Sequence, residues 1–128
     1  MFKTIQIPYD SVMLFNIVKL KSGVDIDDVE MAMGEMCNTV KNNYGDEKGG
    51  FIAGQVFKYT GFISDEGSVG STDVEGPHCA IVTYWKSFEH HEKSHKDRDF
   101  REKFSALAEF CSETKELGYE LLWQGNNK

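Results

Sequence analysis

Between Ser11 and Leu20 the chain reads SVMLFNIVKL, apolar or branched at almost every position. Such a run fits a strand, and its alternation places Leu14, Asn16 and Val18 on one face. Lys21-Ser-Gly-Val is a turn, after which Asp25, Asp27 and Asp28 crowd a helix start, where acidic groups suit the free amides and the dipole. Val29, Met33, Met36, Cys37 and Val40 then recur with a helical period, up to Asn42-Asn43-Tyr44-Gly45. Gly50 to Tyr59 predicts a second strand and Cys79 to Trp85 a third. The stretch from Thr60 to Pro77 turns to Gly, Ser, Asp and Glu, and reads as a long, mobile, acidic connection. Ser87 suits the N-cap of a helical region reaching about Lys115. Its phase shifts, because Phe88, His91 and His95 point one way while Phe104, Leu107 and Cys111 point elsewhere. Asp99-Phe-Arg-Glu102 has capping-box spacing, so a break and restart is expected near Asp97 to Asp99. Tyr119 to Gln124 predicts the last strand, with a tail from Gly125.

The order is β-α-β-β-α-β, an α+β ferredoxin-like unit that lays two helices on one face of an antiparallel sheet. One domain over residues 1–128 is expected, since this length builds one core rather than two. The other sheet face still carries apolar residues and needs a cover. A second copy of the chain would supply it and enclose a cavity, so a homodimer is expected.

Charge changes the picture mainly by exclusion. The net charge of −7 leaves no basic face for a nucleic-acid backbone or an anionic membrane surface. Cys37, Cys79 and Cys111 are odd in number and lack CxxC spacing, which reads as reduced thiols. With no signal-peptide pattern at the N-terminus and no spanning run, a cytoplasmic location is expected.

The densest chemistry is Tyr84-Trp-Lys-Ser-Phe-Glu-His-His-Glu-Lys-Ser-His95. On a helix, His91 and His95 stand one turn apart on one face, a simple way to offer two nitrogens to one metal ion. The same spacing also arises on solvated helices, and His90 reads as solvated. Cys37 is a candidate nucleophile or a small buried hydrophobe. Asn16, facing the core side, needs partners, and would either orient a ligand or bond across a dimer. Met31, Met33 and Met36 read as a soft apolar surface, and Trp85 and Trp123 as strand-end packing.

The stretch Ile81-Val-Thr-Tyr-Trp-Lys-Ser87, followed by Phe100-Arg-Glu-Lys-Phe104, resembles the dimeric α/β-barrel proteins of the antibiotic-biosynthesis monooxygenase superfamily. That resemblance implies fold more than function, because the superfamily includes cofactor-free oxygenases, haem-degrading enzymes, isomerases and decarboxylases. In the haem-degrading branch Asn16 matches the strand-one asparagine. The branch's helix tryptophan and histidine would fall near Ser94 and Phe104, which cannot serve. Tyr84 to His95, with Tyr119-Glu-Leu-Leu-Trp123, is similar to one half of sulfur oxygenase reductase. This second resemblance implies mononuclear non-haem Fe(II) held by His91, His95 and Glu116, with Cys37 near the persulfide-forming cysteine. Along one straight helix His95 and Glu116 would stand roughly 30 Å apart, so only a break near Asp97 could bring them to one ion. The expected function is binding of a small, largely apolar molecule in the barrel cavity; the iron resemblance adds oxygenase chemistry as one concrete version of it. The alternatives are a ligand-binding protein without metal and a cofactor-independent monooxygenase in which Asn16 and a histidine position the substrate.

Overall fold

The computed structural model describes residues 3–70 and 75–127. Strand β1 (Val12–Leu20) leads into helix α1 (Ile26–Tyr44), followed by strands β2 (Phe51–Lys58) and β3 (His78–Trp85). Two helices, α2 (Phe88–Ser94) and α3 (Arg98–Ala108), precede strand β4 (Cys111–Glu120). The four strands form one antiparallel sheet in the order β2-β3-β1-β4. This is the expected ferredoxin-like arrangement, with the second helix divided in two. The sheet is open, with β2 and β4 as its edges, and does not close into a barrel within the chain.

Alternation sets the two faces. Leu14, Val18 and Leu20 of β1, with Cys79 and Ile81 of β3, are buried toward the helices. Val29, Met33 and Met36 of α1 and Leu107 of α3 pack on them, so the space between sheet and helices is filled by side chains. Met31 departs from its methionine neighbours and is largely exposed. Helix α1 starts as expected: Asp25 caps it, in a reciprocal capping box with Asp28. The expected connection from Thr60 to Pro77 has an isolated bridge between Ile63 and Val69, and its residues 71–74 lie outside those described.

Three expectations along the second half need correction. The helical region stops at Ala108 rather than near Lys115, and the chain turns directly into β4. That strand begins at Cys111 rather than Tyr119 and ends at Glu120. Trp123 therefore lies beyond it and is 80% exposed, instead of packing a strand end. The physical reason is that β4 is an edge strand on which only Cys111 is buried, so it lacks the apolar alternation by which strands are recognised. The helix break occurs where the phase shift places it, but its cap is Asp97, not Asp99. The Asp97 carboxylate accepts the amide proton of Phe100 at 3.2 Å. It is also held by α1, because the Tyr44 hydroxyl donates to it at 2.9 Å and the Asn43 amide at 3.3 Å. These contacts keep Asp97 ionised below the ordinary carboxylate range despite its desolvation, while burial first, and then the bond and charge of Asp97, push Tyr44 up to about 12.

Asp97→Ala removes the cap and both ties at once. Loss of a cap costs about 1 kcal/mol, and the α1 contacts add to it. We expect a drop of about 1–2 kcal/mol in urea unfolding, and an unchanged midpoint would show that the break is held by other means.

Candidate functional site

The turn between α2 and α3 decides what the candidate residues can do together. Ser87 caps α2 through its hydroxyl, which accepts the His90 amide proton. The helix is only seven residues long, so its last turn presents His91 and the following His95 toward the β4 edge. Glu116 meets them from β4. It is the ladder partner of Asn16 on β1, and opposite residues in an antiparallel pair share a face. The side on which Asn16 lies with Leu14 and Val18 is the helix side, so Glu116 points under α2.

The result is a three-residue cluster whose ligand atoms all lie within 4.8 Å of one another. His91 Nε2 is 3.1 Å from one Glu116 oxygen and His95 Nε2 is 3.2 Å from the other. The two Nε2 atoms are themselves 2.9 Å apart. Aromatic neighbours fix both rings. Buried Trp85 meets His91 edge-on at 5.4 Å, and Phe100 meets His95 at 5.1 Å. The His91 side chain is mostly covered, the Glu116 side chain is 30% exposed and that of His95 is 43% exposed, so the cluster is open on the His95 side.

Hydrogen bonding alone does not satisfy this arrangement. A neutral imidazole offers at Nε2 either one N–H or one lone pair, along a single in-plane direction. If both histidines donate to Glu116, two N–H groups face each other across 2.9 Å. If one donates to the other, the acceptor's lone pair faces a carboxylate oxygen at 3.1 or 3.2 Å. With Glu116 ionised, no protonation state of the two histidines serves all three contacts. A cation does, because donors bonded to a transition metal at about 2.1 Å and at right angles stand about 3 Å apart. The residues present therefore fit a divalent metal, with positions left on the open side.

Burial works against the charge of Glu116, but the hydrogen bonds and charges of His91 and His95 overcome it and hold the carboxyl at about 2. A carboxyl held below its ordinary 4.5 adds stability that is fully present above that value and is lost as pH falls through about 2. Acid unfolding of the metal-free protein is thus expected to include a step between these values that Glu116→Gln removes. Identical acid profiles for the two proteins would contradict the interaction.

The remaining candidates lie outside the cluster or beside it. Asn16 is half-buried next to Glu116 and donates through Nδ2 to the Ile81 carbonyl at 3.2 Å. Cys37 packs against the main core, and burial pushes its thiol up, away from the reactive thiolate. It is not a member of the cluster. All three cysteines are free. His90, expected to be solvated, is instead half-buried. Its Nδ1 is 2.6 Å from Ser87 Oγ, and its ring lies where a Cβ on Gly50 would sit. Gly50 has a φ of +76°, a conformation glycine adopts freely, so one residue both turns the chain into β2 and makes room for His90. The only hint of that packing in the sequence is the Gly49-Gly50 pair.

No known protein-family model matches the sequence, and the curated proteins yield no relative. Solved structures do match. A mutant form of the cofactor-independent oxygenase SnoaB from Streptomyces nogalater is 11% identical with a TM-score of 0.62, covering 93% of this chain and 99% of that one. Hydroxynitrile lyase from Passiflora edulis is 10% identical with a TM-score of 0.64, covering 93% and 100%. A dimeric protein of ferredoxin-like fold from Bacteroides fragilis is 12% identical with a TM-score of 0.57, covering 87% and 96%. What is shared is the fold. The ferredoxin-like fold carries an oxygenase in one of these proteins and a lyase in another, so function has to be argued from the site.

Proposed function

We propose that this protein is a metal-dependent oxygenase acting on a small, largely apolar molecule, with His91, His95 and Glu116 holding one Fe(II). The observation that carries the reading is the convergence of the three side chains at mutual distances of 2.9–3.2 Å, which hydrogen bonds cannot satisfy together. Two imidazoles and one carboxylate are the donor set of non-haem iron oxygenases, and a bound iron would supply open positions for oxygen and substrate. The protein's own part is to hold the donors rigidly. Trp85 and Phe100 fix the imidazole planes, and β1 fixes the strand that carries Glu116. Asn16, beside Glu116, is placed to orient a substrate or the carboxylate.

A homodimer belongs to the same reading. The sheet face away from the helices carries Met13, Phe15 and Ile17 on β1, flanked by Val82 on β3 and by Leu117 and Tyr119 on β4. Sedimentation is expected to give a dimer, and Phe15→Glu, which places a charge on that face, is expected to give a monomer.

Elemental analysis of protein loaded anaerobically with Fe(II) and then desalted tests the assignment. We expect close to one iron per chain, and oxygen uptake that a chelator abolishes. A cofactor-independent oxygenase, as SnoaB is described, would instead keep its activity with chelator present, and that outcome would replace our reading.

A further inference from the structure

We propose that the groove between His95 and α3 binds a small carboxylate with a flat apolar body, about the size of benzoate. This deepens the oxygenase reading, and rests on it only for where the bound molecule would react. The groove has a volume of about 190 Å³ and is lined by His95, Phe100, Arg101, Phe104 and Ser105. A cavity of about 150 Å³ is enough to take up benzene. One side is apolar: the Phe100 and Phe104 rings stack at 6.0 Å and 28°, and the His95 ring meets Phe100 at 5.1 Å. A flat molecule on this wall would have its edge at the imidazole that also faces Glu116.

The other side is polar and unspent. Arg101 and Ser105 stand four residues apart on α3, one turn along the same side. The other two cations of α3 are engaged, Arg98 with Glu102 at 3.5 Å and Lys103 with Glu35 at 3.7 Å. The side chains of Arg101 and Ser105 make no ion pair or hydrogen bond among the described residues. In a chain with 21 acidic against 14 basic residues, an arginine without an acidic partner beside an aromatic groove points to an external anion. A planar guanidinium fork matches a carboxylate with two parallel hydrogen bonds, and the Ser105 hydroxyl can donate to the same group. The single cation suits a monoanion. A neutral apolar molecule would leave Arg101 unused, and a dianion would lack a second cation.

The test titrates benzoate, with benzyl alcohol as its neutral counterpart, into metal-free protein and follows the His95 ring resonances by NMR. Benzoate is expected to shift the His95 signals and to bind more tightly than benzyl alcohol. Arg101→Gln should weaken benzoate about tenfold or more while leaving benzyl alcohol unchanged, and Arg101→Lys should fall between. Arg98→Gln, one turn away and outside the groove, should change nothing. Equal affinities for the two probes, no effect of Arg101→Gln, or no response at His95 would each overturn the proposal. Because no metal is needed, benzoate binding by a protein that takes up no iron would defeat the oxygenase reading alone. Iron loading without benzoate binding would defeat this inference alone.

Discussion

Glu116→Ala is expected to lower metal affinity by more than about a hundredfold while leaving the fold in place. Changes one shell further from a metal already cost about 10–100-fold, and Glu116 is proposed as a direct ligand. It also faces both imidazoles at 3.1 and 3.2 Å, so its loss removes the only negative charge in the cluster. Folding should tolerate the change, because Glu116 sits on edge strand β4, contributes no apolar burial, and makes no backbone tie through its side chain. The check is an Fe(II) titration of both proteins with circular dichroism run alongside. His95→Ala is expected to behave alike, since it removes another ligand from an exposed position. Unchanged affinity in both variants would mean that the metal, if bound, sits elsewhere.

The second large effect is on stability, at Trp85. This side chain is 2% exposed and closes the small core formed with Leu14 and Val40. Its ring meets Phe51 at 5.3 Å and Tyr44 at 6.3 Å, and Nε1–H donates to Thr83 Oγ1 at 2.9 Å. Truncation of a buried tryptophan costs about 3–5 kcal/mol through lost transfer energy and the cavity left behind. We expect Trp85→Ala to lose about that much in urea unfolding followed by circular dichroism. Trp85→Phe should lose less, because a ring remains against Phe51. Trp85 also meets His91 edge-on at 5.4 Å, so the Ala variant should bind metal more weakly even where it is still folded. A stability loss under about 1 kcal/mol would contradict the packing described.

The elements that bury one face were legible in the sequence, and the elements that bury little were not. Strand β1 and helix α1 announce themselves because Leu14, Val18 and Leu20, then Val29, Met33, Met36 and Val40, are all buried and repeat with the right periods. Strand β4 repeats nothing of the kind. Thr114, Glu116 and Gly118 face the helices, and Glu113, Lys115, Leu117 and Tyr119 face away, so the helix side carries no apolar run and the other side turns apolar only toward its end. The apolar Leu121, Leu122 and Trp123 mimicked a strand instead, although Leu122 is 90% exposed. The site was legible in part. The spacing of His91 and His95 flagged them directly, whereas Glu116 came from resemblance, and only the early turn into β4 shows how it reaches them. The break that makes this reach was visible as a phase shift. Its anchor on Tyr44 and Asn43 was not, because such a contact joins residues more than fifty positions apart.

The central claim is that His91, His95 and Glu116 hold one metal ion. The most direct test is a crystal structure of protein loaded with Fe(II), with anomalous data collected on both sides of the iron edge. We predict one anomalous peak per chain within about 2.2 Å of both Nε2 atoms and of a Glu116 oxygen. A triad without such a peak after loading, its three side chains bridged by water or by hydrogen bonds, would contradict the account.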